Sequence, residues 1–282
     1  MKNSVNLDSN RISPADTTPY PKIMSETADL RINDQSYPLK VITGTEKEQA
    51  VDISLLRKQS KFITFDDGYG NTGSCESSVT FIDGDKGILR YRGYDIAELA
   101  QESTFLETCH LVLYGELPTA SELDALKQRV AGYANLPDEV LGAIKALPKK
   151  THPMAVLSCG IQALGGAYPE FATNDRATDL DRFDEAAALI ISATRAITAS
   201  WHRMQKGDDL IAADGNKGYC ENFLSMMFAE NQNESGIPKE VSNALDLIFL
   251  LHADHEQNCS TSTCRMIASG GANPFASVAG AT

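Results

Sequence analysis

The hydrophobic period of this chain changes once, near Tyr94, and that change sets its architecture. Before it, apolar residues come in short runs: Leu39, Val41 and Ile42; Phe62, Ile63 and Phe65; Val79, Phe81 and Ile82; then Ile88, Leu89 and Tyr91. Such runs read as short strands. The last two are joined by Asp83-Gly84-Asp85-Lys86-Gly87, which suits a hairpin turn because glycine accepts the positive φ that these turns require. Those aspartates lack the spacing and the closing glutamate of a calcium loop. Beyond Tyr94 the apolar residues recur at three and four to the end of the chain. The expected fold is therefore mainly α: a helical large domain over residues 94–282, preceded by a small β-rich region over residues 28–93. Residues 1–27, polar and carrying Pro14, Pro19 and Pro21, are expected to be a disordered extension, and Met24 reads as an alternative start.

Local signals divide the helical part. Phe105, Cys109 and Val112 share a face that ends at Gly115, and Thr119-Ala120-Ser121-Glu122 reads as a capping box before Leu123, Leu126 and Val130. Pro137 and Pro153 each open a helix, the second with Gly160, Gly165 and Gly166 inviting the close approach of a neighbour. A longer helix is expected from Asp184 to Arg203 and a shorter one from Tyr219 to Phe228. Asn273 and Pro274 form a cap and first position for a last helix. No capping signal follows that helix before Thr282, and the sequence is read as truncated there.

The informative helix starts at Pro238. On it Val241, Leu245, Ile248, His252 and His255 recur at intervals of four, three, four and three, which predicts that both histidines end a core-facing stripe. A polar stretch from Glu256 to Thr263 follows. Imidazole donates and accepts hydrogen bonds, so a pair beside a polar loop suits a small carboxylate or ketone. Two other readings stand beside it: core histidines satisfied by backbone carbonyls, and a metal site of His252, His255 and Glu256. The metal reading has histidines at i and i+3, with the glutamate after the second, unlike the helical zinc-protease spacing. His152 is expected to cap the helix opened by Pro153, while His110 and His202 are read as ordinary helix residues.

Composition narrows the function classes. A formal charge of −13 gives a field that repels nucleic acid and anionic membranes, so neither is an expected partner, and an anionic substrate must meet local positive groups. No apolar stretch approaches the roughly 20 residues that cross a bilayer, so a cytoplasmic location is expected. Six cysteines lie too scattered for a disulfide framework or a zinc ribbon and are read as reduced thiols, with no resident metal or cofactor expected.

Four segments carry a resemblance to a known family. They are Cys75-Glu76-Ser77 with Thr80-Phe81-Ile82-Asp83-Gly84, then Gly87-Ile88-Leu89-Arg90-Tyr91-Arg92-Gly93-Tyr94, then His152-Pro153-Met154, and Leu251-His252-Ala253-Asp254-His255-Glu256-Gln257-Asn258. In this order they resemble citrate synthases, and more narrowly the long bacterial form. The resemblance implies condensation of acetyl-CoA, a substrate, with oxaloacetate and water to citrate and CoA, by a homo-oligomer, dimer or hexamer. It implies substrate-binding roles for His255, which matches a histidine contacting oxaloacetate, for His252 as a supporting residue, and for Asn258, matched with one residue of loop length displaced. It also implies that no catalytic residue lies in this chain: the catalytic histidines, the aspartate base, the carboxylate-binding arginines and the CoA loops are expected beyond Thr282. The alternatives are a 2-methylcitrate synthase using propionyl-CoA, and a non-catalytic short subunit acting only in assembly.

Overall fold

A computed structural model describes residues 26–173, 175–231 and 236–282. Almost all of the expected extension, residues 1–25, lies outside the described residues; Thr27, its last residue, already opens a strand. The chain divides into two compact units between Ser78 and Val79.

The described part of the first unit is a three-stranded antiparallel sheet, β1 (Thr27–Ile32), β2 (Gln35–Thr43) and β3 (Gln49–Val51), followed by a short helix α1 (Leu56–Ser60). Ile32 pairs with Gln35 across a two-residue turn, and Asn33 takes the positive φ of 54° there. Leu39 and Leu56 are its buried apolar residues. Phe62, Ile63 and Phe65, expected as a strand, form none, and Phe65 is 90% exposed. An apolar run becomes a strand only where another strand pairs with it.

The second unit opens with β4 (Thr80–Asp83), β5 (Ile88–Tyr91) and β6 (Tyr94–Asp95), an antiparallel sheet in that order. The β4–β5 turn is the expected one, with Gly87 at φ 65°. Arg92 and Gly93, at φ 51° and 89°, make the two-residue turn into β6, a conformation whose twist matches that of the strands. Tyr91 and Tyr94 from this sheet pack with Leu99, Leu111 and Leu250 from the helices. This shared cluster is the physical reason that the hairpin belongs to the helical unit.

Eleven further helices are present among the described residues: α2 (Ile96–Glu102), α3 (Phe105–Tyr114), α4 (Ala120–Gly132), α5 (Asp138–Lys145), α6 (Pro153–Ala167), α7 (Arg176–Asp181), α8 (Phe183–Lys206), α9 (Tyr219–Phe228), α10 (Lys239–Leu251), α11 (Cys259–Ser269) and α12 (Pro274–Ala281). The start signals act as their chemistry predicts. Thr119 and Glu122 form a reciprocal capping box, His152 Nδ1 accepts from Met154 N at 3.2 Å, and Asn273 Oδ1 accepts from Ala276 N at 2.9 Å. Thr104 and Glu107 form a second box that the sequence reading did not single out.

Helix α8 is central. Its buried alanines, 186, 188, 193, 196 and 199, let α4, α6 and α9 come close, while Leu189, Ile197 and Trp201 fill the core with Ile161, Leu164 and Phe275. A Cβ on Gly160 would stand 2.7 Å from Ile197 Cδ1, and one on Gly165 3.3 Å from Phe275 Cβ, so two of the three expected close approaches occur; Gly166 meets nothing within 4 Å. No helix among the described residues is long and apolar enough to cross a membrane.

Candidate functional site

Helix α10 delivers the two histidines, but not on a buried stripe. It stops at Leu251, and His252 is its C-cap at φ −111° and ψ 13°. The three-and-four repeat therefore ceases to apply before His255, which stands in the loop beyond and is exposed. The predicted stripe is also the outer one: Val241 and Ile248 are 48% and 50% exposed, whereas Leu250 is fully buried. Because α10 is apolar on several sides, its spacing alone does not choose between them.

His252 is tied to its own helix: its Nδ1 donates to Ile248 O at 2.8 Å, and the ring is exposed. His255 and Asn258 are brought together. Asn258 is the N-cap of α11, its Oδ1 accepting from Thr261 N at 2.8 Å. That bond fixes the amide, so Nδ2 is the atom that donates to His255 Nε2, 3.3 Å away. The neutral ring then carries its proton on Nδ1, for which no hydrogen-bond partner exists among the described residues. The polar segment from Glu256 to Thr263, expected as a loop, is half helix: α11 begins at Cys259. The cap signal was present, an Asn three residues before a Thr whose N–H it takes.

The loop is braced from the hairpin. Thr80 Oγ1 donates to Asp254 Oδ2, Ile82 N donates to Glu256 Oε1 at 3.1 Å, and Tyr91 OH donates to Leu251 O at 3.2 Å and Asp254 O at 2.9 Å. Glu256 holds a φ of 76° within this network. Burial pushes the Tyr91 phenol up, more strongly than its contact with Asp254 O lowers it, so it stays a neutral donor. No group of three or more His, Cys, Asp or Glu side chains among the described residues is arranged to hold a metal ion.

Two clefts lie away from this loop. One of about 530 Å³ is lined by Arg203, Lys206, Asp208, Phe228 and Glu230. The other, of about 390 Å³, is lined by Thr104, Tyr219, Cys220, Ser242 and Asp246. Arg203 is structural, its Nη1 donating to Ala229 O at 2.9 Å, and Arg195 stacks on Tyr219 at 4.6 Å; between them they hold both ends of α9. All six cysteines are unpaired; Cys220 is buried and Cys259 exposed. Burial pushes the Cys109 and Cys220 thiols up to about 12, which removes thiolate character at neutral pH.

Asp246 has a consequence for stability. Its Oδ2 accepts from Phe105 N at 2.9 Å and its Oδ1 from Cys220 Sγ at 3.6 Å, yet burial outweighs these bonds and raises its pKa above the ordinary 3.8. An acid raised on folding contributes stability that is fully present below the unfolded value and lost as pH rises through the folded one. Asp246→Asn removes that loss. The stability of the variant relative to the parent is expected to rise with pH from 3.8 upward. Urea midpoints at several pH values measure it, and a difference that is flat or falls with pH refutes the assignment.

Comparison with known proteins adds the following. A family model described as citrate synthase, C-terminal domain, matches residues 68–282. The citrate synthase of Thermotoga maritima MSB8 is 33% identical, with a TM-score of 0.64, over 77% of this chain and 55% of that one. That of Pyrobaculum aerophilum is 30% identical, with a TM-score of 0.66, over 86% and 56%. That of Thermoplasma acidophilum, solved as a ternary complex with carboxymethyl coenzyme A and oxaloacetate, is 28% identical, with a TM-score of 0.69, over 77% and 55%. The chain spans about 55% of the length of these solved structures.

Proposed function

Because this chain belongs to the citrate synthase family, matching its C-terminal domain along residues 68–282, we propose that it forms the oxaloacetate-binding part of an enzyme that condenses acetyl-CoA with oxaloacetate and water to citrate and CoA. The observation that carries this reading is the 3.3 Å contact from Asn258 Nδ2 to His255 Nε2. It leaves the Nδ1–H of the exposed His255 with no partner among the described residues, a donor suited to a keto or carboxylate oxygen. His252 supports the helix end from which that loop departs.

Oxaloacetate is a dianion, and the charged residues flanking His255 are Asp254 and Glu256, both acidic and both engaged by the hairpin. The one cation near His255 in sequence is Arg265, so the full charge balance of a bound dianion is proposed to come from arginines elsewhere in the whole enzyme or in a partner subunit. Deprotonating the acetyl methyl further needs a placed base and donors for the developing enolate in a closed, water-poor space. An exposed histidine supplies neither. The proposal is therefore that these 282 residues bind oxaloacetate only weakly on their own, through His255, and release no CoA. The whole enzyme is proposed to be of the long bacterial form, a cytoplasmic homo-oligomer that prefers acetyl-CoA to propionyl-CoA and carries no resident cofactor.

Isothermal titration with oxaloacetate and a thiol-reagent assay for CoA test the two halves. Heat of binding without CoA release is expected. CoA release above background overturns the claim that essential groups lie elsewhere, and absence of binding overturns the role of His255. Rates of the whole enzyme on the two thioesters test its acyl preference.

A further inference from the structure

His255 is exposed, yet its backbone is among the most constrained in the loop. Its neighbour Asp254 is held by Thr80 Oγ1 and by Tyr91 OH, and its neighbour Glu256 by Ile82 N. All three anchors come from one hairpin. Thr80 and Tyr91 are register partners, and Ile82 follows Thr80 on the edge strand β4, whose outward N–H would otherwise have no strand to pair with. The loop closes on itself as well: Glu256 N donates to Asp254 Oδ2 at 3.3 Å and Asn258 N to Glu256 O at 3.0 Å. Glu256 keeps a left-handed φ of 76°, a conformation that a non-glycine residue holds only where its surroundings enforce it. The backbone is thus gripped on both sides of His255, and Asn258 fixes the ring.

We propose that the β4–β5 hairpin is a positioning brace for the His255 loop, with Thr80, Tyr91 and Glu256 as positioning residues that aim the imidazole at oxaloacetate. The inference rests on the reading of His255 given above. A donor confers affinity only in the right place, and the hairpin bears the cost of ordering the loop before substrate arrives. An anchored loop also explains how a side chain open to solvent holds one orientation.

The test uses the full chain and the variants Thr80→Val, which keeps the shape of the side chain but loses the hydroxyl, Thr80→Ser, which keeps the hydroxyl, and Tyr91→Phe, which keeps the buried ring. Amide hydrogen exchange over residues 253–258 is expected to accelerate by about tenfold or more in Thr80→Val and in Tyr91→Phe, with α10 unchanged, the scale of one lost hydrogen bond to a charged or structured acceptor. The oxaloacetate dissociation constant is expected to rise about tenfold alongside. Thr80→Ser restores both, a rescue that a purely steric role of Thr80 does not give. Unchanged exchange in Thr80→Val overturns the brace. A loosened loop that binds oxaloacetate as before overturns the positioning role. If the unaltered chain binds no oxaloacetate while the variants still loosen the loop, the substrate reading alone falls and the hairpin remains the element that sets the loop.

Discussion

Replacing His255 by alanine raises the oxaloacetate dissociation constant by about 10- to 150-fold, the range that follows from losing one hydrogen bond of about 1.5–3 kcal/mol to a charged ligand. Neither fold nor stability is expected to change with it, because the ring is exposed and its one hydrogen bond among the described residues is to Asn258. His255→Gln recovers part of the affinity, since its amide also donates. His252→Ala is expected to have a smaller effect on binding, because its Nδ1 is spent on Ile248 O. Titrations on the three variants measure this order. Equal losses at His252 and His255 contradict the division of labour between them.

Phe275→Ala lowers the stability of the helical unit by about 3–5 kcal/mol, the usual cost of emptying a buried aromatic site. Phe275 is fully buried and lies against Gly165 of α6, where a Cβ on the glycine would stand 3.3 Å from the Phe275 Cβ. The backbones of α6 and α12 are held close by this contact and by Ser158 Oγ, which donates to Ala279 O at 2.6 Å. Little can collapse into the space left behind. For a unit of this size the melting temperature falls by about 6–20 °C, read by thermal circular dichroism. A shift of only a degree or two would mean that α12 is not seated in the core.

What the sequence discloses depends on the range of the forces involved. Caps and turns are local chemistry, and Thr119 with Glu122, Gly115, His152, Asn273 with Pro274, and the turn ending at Gly87 all act as their residue types predict. The run Phe62 to Phe65 misleads because strand pairing is not local. The orientation of α10 is misread for a different reason: Leu247, Ile248 and Leu251 on one side balance Phe249 and Leu250 on the other, and only the neighbours α2, α3 and α9 decide which side packs. Of the candidate site, the residue types were legible in the His252–Asn258 segment. The bracing by Thr80, Ile82 and Tyr91 was not, since it joins positions more than a hundred residues apart in sequence.

The side chain at position 258 has two employments, one for each end of its amide. Ordinary helix caps accept Ser, Thr, Asp or Asn with little preference, but here Oδ1 caps while Nδ2 holds an imidazole. An aspartate would still start α11, yet it would offer an oxygen where a nitrogen is needed, so that Nε2 would carry the proton and Nδ1 would no longer donate. The permitted alphabet at this site is consequently narrower than that of a cap, and the two tasks become separable by exchanging a single atom.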